Sequence, residues 1–137
     1  MNNLRFATIL HILTLLNTSK NQWLSSEWIA GSINVNAVIV RKELALLSKN
    51  NFVETRKGKE GGYQLKMEAK NVLLSDLMRL ILEDGTFINK KNKPNPECFI
   101  GKQMNKNLDQ LYADINYRIY EFLEQKTLAD FYQSFKK

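Results

Sequence analysis

Residues 36–65, NAVIVRKELALLSKNNFVETRKGKEGGYQL, constrain the chain most, because the hydrophobic period changes within one short stretch. Asn36 is a residue type that caps helices. Val40, Leu44 and Leu47 follow it at the spacing of a single helical stripe. The opposite side then carries Val38, Arg41, Lys42, Ala45 and Lys49. Asn50-Asn51 ends the helix, and two strand-like runs follow at 52–56 and 63–67. Between them, Gly61-Gly62 is expected to supply the positive φ angles of a tight hairpin tip that exposes Arg56, Lys57 and Lys59. A helix feeding a short, basic, glycine-tipped hairpin reads as the back half of a winged helix-turn-helix.

The front half agrees. Phe6, Ile9, Leu10, Leu13 and Leu16 predict a first helix over 3–17. Ser25 predicts the cap of a second helix ending near Ser32, with Leu24 and Ile29 spaced as a hydrophobic staple. Ile33-Asn34-Val35 then leaves room only for a turn before Asn36, which is the helix-turn-helix pattern. Arg5 before an apolar run resembles a secretory leader. The run is too short to span a bilayer, and Asn17-Thr18-Ser19 follows where small cleavage-site residues belong. A buried amphipathic helix is expected instead, in a cytoplasmic chain with no membrane partner. The single cysteine, Cys98, fits a reducing compartment.

Charge selects the partner. The chain is net +6, and residues 41–70 hold eight Lys/Arg against four acids, so most of the excess lies on the helix and hairpin just described. A phosphate backbone requires such a concentration, and the wide major groove of B-form DNA admits a helix more readily than A-form RNA does. Double-stranded DNA is therefore the expected partner. Asn36, Ala37, Val38 and Arg41, on the first turns of the third helix, are candidates for base edges, with Ala37 and Val38 suited to thymine methyls. Lys42, Lys49, Arg56, Lys57 and Lys59 are candidates for phosphates. Enzyme readings fail. One His and one Cys make neither a triad nor a zinc site, and the glycines fit no nucleotide-binding loop. No catalytic residue, metal or cofactor is expected.

Farther on, Leu77, Leu80 and Ile81 predict a helix over 74–84 ended by Gly85, and Pro94 and Pro96 punctuate a loop at 86–98. Met104, Leu108, Leu111, Ile115, Ile119 and Phe122 then step by threes and fours along a long helix, close to a heptad seam. Such a seam is expected to join a second copy; the alternative is packing on its own domain. Thr127 is placed to cap a last short helix reaching Phe135. The expected class is mainly α with a small β-hairpin wing. The expected division is 1–85 for the winged helix-turn-helix, 86–99 for a loop, and 100–137 for the dimerisation helix and the short helix.

The order Ser26…Ile29-Ala30, then Val35-Asn36-x-Val38-x-Val40-Arg41-Lys42-x-Leu44-x-x-Leu47, then Phe52-Val53 and Arg56-x-Gly58-x-x-Gly61-Gly62-Tyr63-x-Leu65, resembles the Rrf-two family of bacterial winged-helix transcriptional regulators. The wing is its most specific part, and Leu74-Ser75-Asp76-Leu77 matches the family's next helix. The resemblance implies a homodimeric DNA-binding regulator, often a repressor, acting on an inverted repeat, and adds Ser26 to the DNA-binding candidates. Ala37 stands where the family commonly has Pro. Cluster-binding members look to use three cysteines in the loop before the long helix, whereas this chain has only Cys98, as in the cluster-free, YwnA-like members. Cys98, before a helix N-terminus, is a candidate redox residue, against the plainer reading of a small buried side chain. Three alternatives stay open: a thiol-switched regulator, a small-molecule effector, and a winged-helix adaptor that docks proteins rather than DNA.

Overall fold

The computed structural model describes residues 3–135. Helices α1 (Asn3–Thr18), α2 (Ser26–Ile33) and α3 (Ala37–Lys49) precede a hairpin of β1 (Val53–Arg56) and β2 (Gly62–Leu65). Then come α4 (Leu74–Ile81), α5 (Gly101–Glu124) and α6 (Leu128–Tyr132). The capping residues act as their types demand. Ser25 and Asn36 accept hydrogen bonds from the backbone of Trp28 and Val38, and Thr127 forms a reciprocal capping box with Asp130. Asn34 ends α2 in the left-handed conformation, which asparagine tolerates, and its N–H donates to the Ala30 carbonyl at 2.8 Å.

Helix α1 is the spine. Its Ile9, Ile12, Leu13 and Leu16 are fully buried with Ile29 of α2, the Val40–Leu44–Leu47 stripe of α3, and Leu77 of α4. Burying each such side chain contributes about 1.5–3 kcal/mol. The apolar stripe of α3 therefore holds that helix against α1 and turns Val38, Arg41 and Lys42 outward.

The hairpin pairs antiparallel, Val53 opposite Leu65 and Arg56 opposite Gly62. Leu24 forms a bridge on the other edge of β2 by exchanging backbone hydrogen bonds with Tyr63 at 3.1 and 2.9 Å, so the wing is sewn to the entrance of α2. The two expected tip glycines serve different purposes. Gly62 has φ +146, and a Cβ there would lie 2.5 Å from the Leu24 carbonyl oxygen. The other positive φ falls at Gly58 rather than Gly61; Gly61 is instead needed because a Cβ would strike the Arg56 backbone.

Two boundaries differ from expectation. Helix α4 stops at Ile81, not Gly85: Leu82 is extended, and a single tight turn at Glu83–Gly85 follows. That turn delivers the Gly85 carbonyl to the Tyr120 hydroxyl of α5 at 2.7 Å. The expected 100–137 unit also does not stay together. Leu128 of α6 is fully buried in the core of the preceding helices, and its N–H donates to the Val72 carbonyl at 2.9 Å. Burying Leu128, with Ala129 and Phe131 packed against the same cluster, makes α6 complete the N-terminal core.

Candidate nucleic-acid interface

Helix α3 offers an apolar pair and a guanidinium on its first turns. Val38 is 62% exposed and Ile39 49%, large values for branched apolar residues. Asn36 is exposed, but its side-chain oxygen is committed to the Val38 N–H at 2.8 Å. Ala37 is half-buried against the core, which leaves Val38 and Ile39 as the accessible apolar contacts.

Arg41 does not hang free. Its Nη1 donates to Ser26 Oγ at 3.2 Å and reaches Glu27 Oε1 at 3.5 Å, while Ser26 Oγ donates to the other carboxylate oxygen at 3.3 Å. Ser26 is buried under this arrangement. Ser26 thus aligns Arg41 rather than standing open to a phosphate. Neither Glu27 nor Ile39 was expected from sequence. Glu27 lies on another helix, so no local spacing marks it; Ile39 was legible as the neighbour of Val38 on a helix whose stripe excludes both.

On its other side α3 is anchored by an ion pair. Glu43, only 3% exposed, accepts from Arg5 Nη2 at 2.8 Å and Nε at 3.0 Å. The hydrogen bond to Glu43 raises the Arg5 pKa above its ordinary value, against a smaller opposing effect of burial. Ser48 at the end of α3 meets Thr55 of β1 at 3.1 Å, tying the helix to the wing.

The wing separates its cations into two roles. The Arg56 guanidinium lies 4.7 Å above the Trp23 ring and donates to the Glu60 carbonyl, so it braces the hairpin. Lys57 and Lys59 stand exposed at the tip, as do Lys42 and Lys49 on α3. The structure therefore assembles Ser26, Asn36, Val38 and Arg41 at one end of α3, with Lys57 and Lys59 on the separate hairpin.

Helix α5 is unlike the others: none of its residues is buried. Its seam residues Leu111 and Phe122 are 53% and 61% exposed, Met104 is exposed, and Leu108, Ile115 and Ile119 are half-buried. A different face is occupied. Residues 85–92 run along the helix as a polar strap. Tyr120 holds the Gly85 carbonyl, Asn116 accepts from the N–H groups of Phe87 and Ile88 at 2.6 and 3.0 Å, and Tyr112 donates to the Lys90 carbonyl at 2.9 Å. Lys91 pairs with Asp109, and Asn105 donates to the Asn92 carbonyl. These α5 positions each follow a seam position by one residue, which is about 100° around a helix. The strap thus satisfies the polar face, while Met104, Leu111 and Phe122 of the apolar one stay exposed. Burial pushes the Tyr120 hydroxyl above its ordinary pKa, with Arg79 opposing, so it stays a proton donor to the strap. The C-terminal end of α5 rests on α4 and the core through Leu123, the Arg79–Glu124 pair at 3.1 Å and the Arg79 guanidinium 4.5 Å from the Tyr120 ring.

Cys98 is free and exposed rather than buried, one turn before α5. Among the described residues no group of three His, Cys, Asp or Glu could hold a metal ion, and no helix is long and apolar enough to cross a membrane.

Comparison with known proteins agrees with this geometry. The sequence model of the family described as Rrf2, iron-dependent transcriptional regulator, matches residues 3–134. A Bacillus subtilis protein named "Putative HTH-type transcriptional regulator YwnA" is 32% identical over 130 residues, covering 95% of this chain and 96% of that protein. In fold, the chain is similar to CymR, the global cysteine regulator of B. subtilis, with TM-score 0.72 and 20% identity over 96% of this chain and 95% of that one. It is also similar to T. potens IscR, with TM-score 0.72 and 18% identity over 95% and 84%. The iron in the family description does not fit the residues present: the loop before α5 supplies one cysteine, and among the described residues no group of three His, Cys, Asp or Glu forms around it.

Proposed function

We propose that this chain, which belongs to the Rrf2 family and is a DNA-binding transcriptional regulator, acts as a homodimeric repressor that reads an inverted repeat. The observation that carries the reading is the outward pairing of Val38 and Ile39 with an aligned Arg41 on the first turns of α3. In the major groove the apolar pair suits thymine methyls, and the guanidinium suits the O6 and N7 acceptors of guanine. Lys57 and Lys59 reach flanking phosphates from the wing, and Lys42 and Lys49 do so from α3.

Homodimer formation is supported by the open seam of α5. An apolar stripe carried by Met104, Leu111 and Phe122 on a helix with no buried residue has reason to meet its like. A two-fold pair of recognition helices reads half-sites related by inversion and spaced by about one helical turn or a multiple. Repression follows where such a site overlaps the start of a gene.

Selection from genomic DNA fragments at two salt concentrations, followed by sequencing, tests this. A shared inverted repeat retained at the higher salt is expected. On that operator Arg41→Ala weakens binding by about 1–3 kcal/mol, while Lys59→Ala weakens binding to all sequences and lowers the salt slope by about one. Sequence-blind retention, or an Arg41→Ala variant with full operator affinity, refutes the assignment. Leu111→Glu is expected to give a folded monomer by sedimentation equilibrium. A folded dimer would move the interface elsewhere. The exposure of Cys98 favours one additional reading, a thiol-switched regulator, which requires that Cys98→Ser abolish any oxidant response of DNA binding.

A further inference from the structure

Arg41 is held by one nitrogen only. Nη1 makes both of its contacts, to Ser26 Oγ at 3.2 Å and to Glu27 Oε1 at 3.5 Å. Among the described residues nothing pairs with Nε or Nη2. These two nitrogens share the side edge of the planar guanidinium, where their N–H groups point the same way as a fork. The contacts to α2 therefore occupy one corner of the group and leave free a two-pronged donor. Guanine O6 and N7 accept such a fork.

Ser26 works as a relay beneath this pair. Its hydroxyl accepts from Arg41 and donates to Glu27 Oε2 at 3.3 Å, and the residue is 6% exposed. The Glu27 side chain is 72% exposed and that of Arg41 46%, so their pairing adds little to folding. Its effect falls on how Arg41 meets DNA. Guanine accepts from the free edge while Glu27 keeps Nη1. A backbone phosphate lies to the side of the base edges, so Arg41 leaves Ser26 and Glu27 to reach it. That move strands the carboxylate beside the phosphates, a cost that falls on the wrong complex alone.

We propose that Glu27, acting with Ser26, is a positioning residue that commits Arg41 to a base edge and withholds it from phosphates. The proposal rests on the reading of Arg41 as a base contact. It places a determinant of specificity on α2, outside the recognition helix.

The test follows binding of the full chain to a scrambled duplex and to the selected operator across a salt series. Glu27→Gln keeps the size of an exposed side chain and removes its charge; Glu27→Ala serves if that variant does not fold by circular dichroism. Affinity for the scrambled duplex should rise, and the salt slope there should steepen by about one, because the released Arg41 neutralises a further phosphate. The operator-to-scrambled ratio should fall by up to about fivefold, or about 1 kcal/mol, the most that an exposed pair supplies. In an Arg41→Ala background the same change should alter neither quantity, since its effect passes through Arg41. An unchanged slope when Arg41 is present overturns the proposal. Steepening that persists without Arg41 also overturns it, because Glu27 would then repel phosphates directly. Glu27 lies in the first turn of α2, where the helix dipole favours an acid. A role confined to that turn would lower the urea midpoint equally with and without Arg41 and leave the salt slope alone. The slope needs no operator, so the two readings fail separately. Full operator affinity in Arg41→Ala sinks the base contact, whereas lost affinity there with an unchanged slope in Glu27→Gln sinks only the positioning role.

Discussion

Removing Arg5 should unfasten the recognition helix, and the structure sets the size of the effect. Glu43 is buried to 3% exposure, with both carboxylate oxygens held by one guanidinium at 2.8 and 3.0 Å. Truncating one member of a buried ion pair costs about 3–5 kcal/mol, because the other charge remains in a medium that cannot solvate it. The Arg5 side chain is 34% exposed, so its removal opens a path for water to Glu43. Arg5→Ala is therefore placed at the lower end, about 3 kcal/mol. With a urea slope of about 1.5 kcal/mol/M, the midpoint falls by about 2 M. Replacing both residues by Met keeps the volume and removes both charges, so that double variant should lie within about 1 kcal/mol of the parent. The assay is urea unfolding followed by circular dichroism at fixed chain concentration, since self-association would make stability depend on it. An Arg5→Ala cost below about 0.5 kcal/mol, as for a solvated surface pair, refutes the reasoning. A double variant as unstable as the single one would also refute it, because the deficit would then be lost packing rather than an orphaned charge.

Three other perturbations follow from the geometry. Glu27→Gln releases Arg41 from its only carboxylate neighbour on α2, so affinity for scrambled duplexes should rise and the operator-to-scrambled ratio should fall, by up to about 1 kcal/mol; an unchanged ratio removes Glu27 from the site. Asn116→Ala deprives Phe87 and Ile88 of their shared acceptor, and their amides should exchange with deuterium much faster while those of α1 do not change. Gly62→Ala forces a methyl against the Leu24 carbonyl at a positive φ and should cost more than about 1–2 kcal/mol; a variant of parental stability shows that the wing is not sewn to α2 as described.

Much of the architecture was legible because it rests on short-range rules. Ser25, Asn36 and Thr127 cap helices through bonds to backbone groups two or three residues ahead, and Val40, Leu44 and Leu47 share a face by helical geometry alone. The exposed seam of α5 was equally readable as a periodicity. What misled was reading residues by type. Ser26 has a free-looking hydroxyl, yet it is buried beneath Arg41, and Arg56, exposed on the wing, also stacks on Trp23, a contact its type does not announce. Burial was the plainer reading of Cys98, and the structure shows it exposed.

By itself, then, the sequence determined the helices, the wing, the basic surface and the family, since caps, stripes and charge density act through neighbours along the chain. Tertiary structure decided which of those groups meet. Arg5 finds Glu43 across 38 positions, Tyr120 finds Gly85 across 35, and Leu128 closes a core begun at Ile9. Each pairing depends on how two elements are rotated and spaced relative to one another, and no local rule carries that information, because packing of the whole core sets it.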